Sequence, residues 1–239
     1  MQKHQHGGNL NLAVRKYGLD PEKILDFSVN INPLGTPEVV YELLRDGLRY
    51  VSIYPEPYCR ELKESYASLL ELPPEQLIFA NGAVELIYLA LQTLRPDTVL
   101  IPSPTFREYE IAARAIGATI KMLRLSPEKG FLPGLNSLLR AAQDANLGFL
   151  CNPNNPTGNL IPPDILKSFL DICAAQGIFV IVDESFLIFH DCWQELSFAR
   201  ETTINKNLLV LQSLTKFFAI PGLRVGYGVA HPETITLFN

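Results

Sequence analysis

Cysteine is scarce in this sequence, and long apolar runs are missing from it. The four cysteines form no CxxC pair, so neither a disulfide framework nor a zinc site is indicated, and we expect reduced thiols and no metal site. No segment is apolar over the length of a bilayer-spanning helix, and the opening residues MQKHQHGGNL lack the apolar core of a secretion signal. We therefore expect a cytoplasmic protein without a membrane partner.

An excess of charge of one sign is missing as well. The formal net charge is -5, and like charges form no long run. Such a chain gives no reason to expect nucleic acid as a partner. The fingerprints GxGxxG and GxxxxGK[ST] are also absent, which argues against dinucleotides and nucleoside triphosphates. An anionic ligand would have to be bound by a few local groups.

Short apolar runs alternate with amphipathic stretches from residue 77 onward. This alternation is typical of an α/β fold, a mostly parallel sheet with helices on both faces. Residues 1–50 are predicted to form an N-terminal arm and a leading helix, because prolines and Gly35 interrupt the segment SVNINPLGTP. Residues 51–239 are predicted to form one large domain. Its seven strands are expected at 77–79, 98–101, 119–124, 148–151, 179–182, 208–212 and 224–229.

The segment QSLTKFFAIPGLRVGYG, residues 212–228, brings Lys216 into a turn after a β-rich run. Apolar surroundings destabilise the charged form of an amine, so this lysine could act as a nucleophile toward a carbonyl. Ser213 and Arg224 are residue types that hold phosphate. A lysine that is simply exposed after an edge strand is the alternative that this segment leaves open.

Two other predicted strands end in polar residues. The first is followed by CNPNNPTG, where prolines prevent regular structure and Asn155 could donate a hydrogen bond to a phenolate oxygen. The second ends in Asp183, a buried carboxylate that would need a cationic partner such as a protonated pyridine. Taken singly, an ordinary turn explains Asn155, and a helix cap or a magnesium ligand explains Asp183.

The segments ANGAVE and SPTFREY complete the set. At Gly82 and Ala83 a strand meets the start of a helix, whose exposed amides would bind an anion such as phosphate. Phe106 could stack on a flat heterocycle, although a position in the core explains it equally well. These residues lie at ends of predicted parallel strands, the edge of such sheets at which ligands bind. Together they supply what each part of pyridoxal phosphate (PLP) requires.

The segments ANGAVE, CNPNNPTG, VDES and SLTKFFAIPGLRVGYG, in this order, resemble the fold-type I aminotransferase superfamily over nearly the whole chain. The resemblance implies that Lys216 carries PLP, that Asp183 pairs with the pyridine nitrogen and that Asn155 pairs with the ring hydroxyl. It also implies that Phe106 stacks on the ring. The cofactor phosphate would be held by Gly82, Ala83, Ser213, Arg224 and, from the neighbouring subunit of a homodimer, Tyr54.

The N-terminal segments HGGN and DFSVNINPLG are, within the superfamily, most similar to decarboxylases of L-threonine O-3-phosphate in cobalamin biosynthesis. This resemblance implies a small phosphorylated amino acid as substrate, contacted by His6, Asn32 and Asn155, and (R)-1-aminopropan-2-yl phosphate as product. Histidinol-phosphate aminotransferases are the close alternative, but they usually have an acidic residue where this chain has Ile31 and a tyrosine where it has Phe106.

The superfamily pattern continues beyond the last motif of this chain into a small C-terminal domain. The resemblance therefore implies that this domain is missing here. An inert module that binds the cofactor or dimerises remains a third alternative, although the presence of Lys216, Asp183 and Asn155 weighs against a degenerate site.

Overall fold

The structure of this protein, a computed structural model, describes residues 7–239. Three helices precede the sheet: α1 (Leu10–Tyr17), α2 (Glu38–Gly47) and α3 (Arg60–Leu70). Among the described residues, the first buried side chain is that of Ala67. The segment before α3 therefore adds little to the core, and the domain boundary at residue 50 stays a prediction.

Seven strands form one sheet in the order β1-β7-β6-β5-β4-β2-β3. All seven predicted strands are confirmed, and their ends differ from the predicted ones by at most two residues. The strands are β1 (Leu77–Ala80), β2 (Thr98–Ser103), β3 (Thr119–Arg124), β4 (Leu147–Cys151), β5 (Phe179–Asp183), β6 (Leu208–Ser213) and β7 (Gly226–Ala230).

Helices cover both faces of this sheet, which confirms the predicted α/β class. Alternate residues of a strand point to opposite faces, so Val180 belongs to one hydrophobic cluster and Ile181 to the other. The helices that follow are α4 (Ala83–Leu94), α5 (Glu108–Ala115), α6 (Leu135–Ala142), α7 (Pro163–Ala175), α8 (Trp193–Leu196), α9 (Leu214–Phe217) and α10 (Pro232–Phe238). Helices α3, α6 and α7 contribute to the first cluster, and α4, α5 and α10 to the second.

Strand β7 is antiparallel to both of its neighbours, β1 and β6, whereas the remaining neighbouring strands pair in parallel. The amino end of β7 therefore lies at the same edge of the sheet as the carboxyl ends of β1 and β6. In the register of the sheet, Gly226 pairs with Ala80 on one side and with Ser213 on the other. Arg224, just before β7, is delivered to this edge.

Within residues 7–239, no helix is long and apolar enough to cross a bilayer. The cysteines Cys59, Cys151, Cys173 and Cys192 are all free thiols.

Candidate active site

The carboxyl edge of the central strands brings the sequence-predicted residues together. Cys151 at the end of β4 is paired with Asp183 at the end of β5, and Asp183 is paired with Leu211 on β6. Ser213 follows Leu211 by two residues and pairs with Gly226. The loops that carry Asn155, Lys216 and Arg224 leave from these strand ends. One edge thus gathers the ends of β4, β5 and β6 and the start of β7.

Lys216 lies in the short helix α9, directly after β6. Its Nζ atom donates a hydrogen bond to Oγ of Ser213 at 3.0 Å, and the hydroxyls of Ser213 and Thr215 are 2.9 Å apart. Burial lowers the pKa of Lys216; the negative charge of Asp183 opposes this effect and Arg224 adds to it. A lowered pKa increases the neutral fraction of the amine, which is the nucleophilic form.

Asp183 ends β5 with a side chain that is almost fully buried. Its Oδ2 atom accepts a hydrogen bond from the hydroxyl of Tyr109 at 2.7 Å, and its Oδ1 atom accepts one from the backbone N–H of Ser185 at 2.9 Å. Both oxygens are therefore held in a fixed orientation. No group of three or more His, Cys, Asp or Glu side chains suited to a metal ion occurs within the described part of the chain.

The loop CNPNNPTG contains three asparagines whose environments differ. Asn152 accepts a hydrogen bond from the backbone of Ile161, and Asn154 bonds to Thr105, Pro104 and Thr157. In residues 7–239, the side-chain amide of Asn155 has no hydrogen-bond partner, and its backbone N–H points to Sγ of Cys151. Of the three amides, that of Asn155 is the one available to a ligand.

The start of α4 is in close contact with the loop that precedes β7. Gly82 has a φ of +89°, and a Cβ placed on it would lie 2.6 Å from Nη2 of Arg224. A Cβ on Gly226 would lie 2.4 Å from the backbone nitrogen of Ala83. Two glycines therefore let a guanidinium group and the first amides of a helix share one small space, a combination that suits a phosphate.

Phe106 lies half-buried after β2. Its ring makes an edge-to-face contact with that of Tyr109, with centroids 5.5 Å apart. The ring of Tyr109 in turn stacks on Phe149, with centroids 4.6 Å apart and planes 8° from parallel. The aromatic group is thus continuous from the core to the site edge, and the stacking of Phe106 on a cofactor ring stays a prediction.

Asn32 is bound to the turn that carries Lys216. Its backbone N–H donates to the carbonyl of Lys216 at 3.0 Å, and its Nδ2 donates to the carbonyl of Phe217 at 2.8 Å. Thr36 adds a hydrogen bond to the carbonyl of Ala219 at 2.6 Å. The structure therefore assigns Asn32 a clamping contact that the sequence does not predict, while its expected contact with substrate stays a prediction.

Two of the expected residues are not brought to the site by the described chain. Tyr54 is 98% exposed and has no hydrogen bond among residues 7–239, which leaves its expected role in a neighbouring subunit untested. His6 lies outside the described residues.

Sequence reasoning missed Tyr109 and Glu184. Tyr109 follows Phe106 by only three residues, so the segment FREY held a signal that the two aromatic side chains lie near each other. Glu184 is fully buried and accepts hydrogen bonds from Ser197, Gln212 and the backbone of Phe198. Burial raises its pKa to about 7. The sequence alone does not show which of the two neighbouring carboxylates, Asp183 or Glu184, has its hydrogen bonds to Ser197, Gln212 and Phe198.

These groups match the separate parts of PLP. A buried amine would suit the cofactor's aldehyde, an oriented carboxylate would suit a protonated ring nitrogen, and an amide without a partner among the described residues would suit a ring oxygen. The two-glycine contact between Arg224 and the start of α4 provides room and donors for a phosphate. The fold and this donor set define an enzyme that uses PLP.

Comparison with known proteins agrees with this class. The family model for aminotransferases of class I and II matches residues 22–239, and the chain belongs to that family. Its cofactor is pyridoxal 5′-phosphate, as the sequence predicts.

Three relatives illustrate the similarity. Threonine-phosphate decarboxylase of Salmonella typhimurium is 37% identical over 222 residues, which cover 93% of this chain and 60% of that protein. Histidinol-phosphate aminotransferase of Methanococcus maripaludis is 35% identical over 225 residues, which cover 92% of this chain and 59% of that protein. The crystal structure of histidinol-phosphate aminotransferase from Clostridium acetobutylicum, at 30% identity, has a TM-score of 0.81 and aligns with 90% of this chain and 63% of its own. The chain thus spans less than two thirds of each relative.

Proposed function

We propose that this protein decarboxylates L-threonine O-3-phosphate to (R)-1-aminopropan-2-yl phosphate. The observation that carries the proposal is a cavity of about 430 Å³ beside Asn155, which Ile31 also lines. Among the described residues, none of its lining side chains is acidic. Both candidate substrates carry a phosphate, but histidinol phosphate adds an imidazole ring, and a wall without negative charge offers no partner to the cationic form of that ring. The 37% identity to the Salmonella typhimurium decarboxylase supports the same choice.

Lys216 is the catalytic residue of this proposal. When bound, PLP withdraws electron density from the α-carbon of the amino acid. The Nζ atom of Lys216 would hold the cofactor and, once released from it, carry the proton that the α-carbon receives after carbon dioxide leaves. Its lowered pKa suits both tasks, because the neutral amine is required for the first and a readily exchanged proton for the second.

Asp183 and Asn155 would orient the cofactor ring from opposite sides. Asp183 would hold a proton on the ring nitrogen through a charge-assisted hydrogen bond, and the Asn155 amide would donate to the ring oxygen. Phe106 would pack on the ring face. This orientation decides which bond of the substrate lies perpendicular to the ring and therefore breaks.

The cofactor phosphate would be bound where α4 begins. The amides near Gly82 and Ala83, the guanidinium of Arg224 and the hydroxyl of Ser213 would share this anion. Partial positive charge at a helix start and a guanidinium both favour a phosphate at this position. The short approach of Arg224 to Gly82 supports this assignment.

A second copy of the chain would complete the site in a homodimer. Phe27 is 92% exposed, Val51 88% and Tyr54 98%. Side chains of this size and exposure would lose contact with water on burial against a second copy of the chain, which supports the proposed dimer. In the proposed dimer, Tyr54 of one chain reaches the cofactor phosphate of the other.

Transamination of histidinol phosphate is the second candidate function. It is supported by the 35% identical Methanococcus maripaludis enzyme and by the 30% identical Clostridium acetobutylicum structure. An inert module that binds PLP or dimerises is the remaining possibility. The convergence of a buried lysine, an oriented aspartate and a free asparagine on one edge weighs against it.

Product analysis separates the three functions. The purified protein, with added PLP, is given L-threonine O-3-phosphate and, in a second reaction, histidinol phosphate together with a keto acid; Lys216→Ala serves as the control. We expect release of carbon dioxide from the first substrate, without consumption of keto acid and only with Lys216 intact. Conversion of the keto acid without carbon dioxide would establish the aminotransferase instead. Neither reaction, in a folded sample that binds PLP, would favour the inert module.

A further inference from the structure

We infer that Tyr109 is a positioning residue that orients Asp183 toward the cofactor ring. The hydroxyl of Tyr109 donates to Oδ2 of Asp183 at 2.7 Å across 74 residues of sequence. The inference rests on the proposed function, because it assumes that the free side of the Asp183 carboxylate meets the pyridine nitrogen. It adds a residue of α5 to the site.

The position of this hydroxyl is fixed by packing. Tyr109 is fully buried, and its ring lies nearly parallel to that of Phe149 on β4. A buried aromatic ring in a dense core has few alternative rotamers, so the hydroxyl cannot swing away from Asp183. The carboxylate is therefore held between a rigid phenol on one oxygen and the Ser185 amide on the other.

Tyr109 also contacts Phe106, the residue proposed to stack on the cofactor ring. One side chain thus bonds to the partner of the ring nitrogen and packs against the residue on the ring face. Burial, and next the charge of Asp183, raises the pKa of Tyr109 well above its ordinary value. The phenol therefore stays protonated, and a hydrogen-bond donor, at neutral pH.

The titratable groups around this pair come from three elements: Cys151 on β4, Lys216 on α9, and Glu184, which follows β5. Burial raises the pKa of Cys151 to about 12, so its thiol stays neutral. Burial also raises the pKa of Glu184 to about 7. Glu184 can therefore titrate within the pH range of the cofactor titration. For this reason, every variant in the test keeps Glu184.

The test uses Tyr109→Phe, which removes the hydroxyl and keeps the ring. Tyr88→Phe is the matched control, since it removes a hydroxyl that donates to a different carboxylate, that of Glu108, at 3.3 Å. Phe149→Leu is a second variant that keeps the Tyr109 hydroxyl but weakens the packing under its ring. Each protein is titrated with PLP to obtain the cofactor Kd, and the absorbance of the lysine-linked cofactor is then followed against pH.

We expect Tyr109→Phe to weaken cofactor binding roughly tenfold or more, since a hydrogen bond to a charged group is lost. We also expect the pH midpoint to rise. With the ring nitrogen less firmly protonated, the nitrogen of Lys216 faces less positive charge and keeps its proton to higher pH. Tyr88→Phe should change neither quantity, and Phe149→Leu should lower thermal stability without moving the midpoint.

The outcomes are distinguishable. A wild-type band with an unchanged midpoint and Kd in Tyr109→Phe would overturn the role of Tyr109 and leave the proposed function intact. An equal midpoint shift in Phe149→Leu would reduce Tyr109 to a packing residue. Absence of a lysine-dependent band in the folded wild-type protein would overturn the cofactor site itself, and the inference with it.

Discussion

The amine of Lys216 is held by the hydroxyl of Ser213 at 3.0 Å, and that hydroxyl lies 2.9 Å from the hydroxyl of Thr215. Ser213 and Thr215 are both buried. The amine and the two hydroxyls at the end of β6 therefore form hydrogen bonds with one another. This arrangement makes Ser213 a candidate both for docking the lysine and for binding the cofactor phosphate.

Removal of the Ser213 hydroxyl should affect the cofactor more than the fold. In Ser213→Ala, the lysine loses a hydrogen-bond partner and so, in the proposed site, does the cofactor phosphate; a hydrogen bond to a charged group contributes about 1.5–3 kcal/mol. We expect the Kd for PLP to rise at least about tenfold, which fluorescence titration can measure. An unchanged Kd would exclude Ser213 from the phosphate site.

The contact between Gly226 and Ala83 predicts a steric effect. A Cβ in Gly226→Ala would meet the backbone nitrogen of Ala83 at 2.4 Å and the backbone carbon of Gly82 at 2.8 Å, and such overpacking costs about 1–3 kcal/mol. At roughly 2–4 °C per kcal/mol, we expect a loss of several degrees in Tm together with weaker PLP binding.

Gly222→Ala is the matched control, because a Cβ there would meet nothing within 4 Å. A wild-type Tm and a wild-type cofactor affinity in Gly226→Ala, as in Gly222→Ala, would contradict the close contact between β7 and the start of α4.

The burial of Glu184 should make the free energy of unfolding depend on pH. Burial raises its pKa to about 7 in the folded protein, whereas the unfolded chain keeps the ordinary value near 4.5. The folded state therefore binds this proton more tightly. The resulting stabilisation is complete below about pH 4.5 and is lost as the pH rises through about 7, a change of roughly 3 kcal/mol.

Glu184→Gln should remove this slope, so that the variant gains free energy of unfolding relative to the wild type between pH 5 and pH 8. Urea unfolding at the two pH values measures the difference. Glu195→Gln, at an exposed position of α8, is the control and should leave the slope unchanged. A slope that persists in Glu184→Gln would assign the titration to another group.

The clamp formed by Asn32 and Thr36 predicts a local effect on the lysine turn. Asn32→Ala and Thr36→Val each remove one hydrogen bond to a backbone carbonyl of residues 217–219, a contribution of about 1 kcal/mol each. We expect faster amide hydrogen exchange at residues 216–220 with little change in global Tm. Exchange rates equal to those of the wild type would argue against the clamp.

Much of the fold could be predicted because buried strands are continuous apolar runs. Phe179–Asp183 is such a run, and Asp183 marks its end. The direction of β7 could not be predicted, since a buried strand has the same pattern whichever way it runs. That direction decides that Arg224 reaches the site from the amino end of a strand.

The candidate site could be predicted where chemistry follows a strand end, as it does for Lys216, Asp183 and Asn155. Tyr109 could not, because its contact with Asp183 depends on how α5 packs across the sheet. The clamping bonds of Asn32 are likewise a property of the folded chain, since its partners lie about 185 residues away in sequence. The role expected of Tyr54 in a neighbouring subunit stays a prediction, because its side chain is 98% exposed in the single chain.

The central claim is that Lys216 binds PLP covalently, and an absorbance titration of the protein with PLP tests it most directly. Lys206→Ala is the matched control, because Lys206 is a surface lysine paired with Glu233. We predict a band of lysine-linked cofactor in the wild type and in Lys206→Ala, and its absence in Lys216→Ala. A band that persists in Lys216→Ala, or that is absent from the folded wild-type protein, would contradict the account.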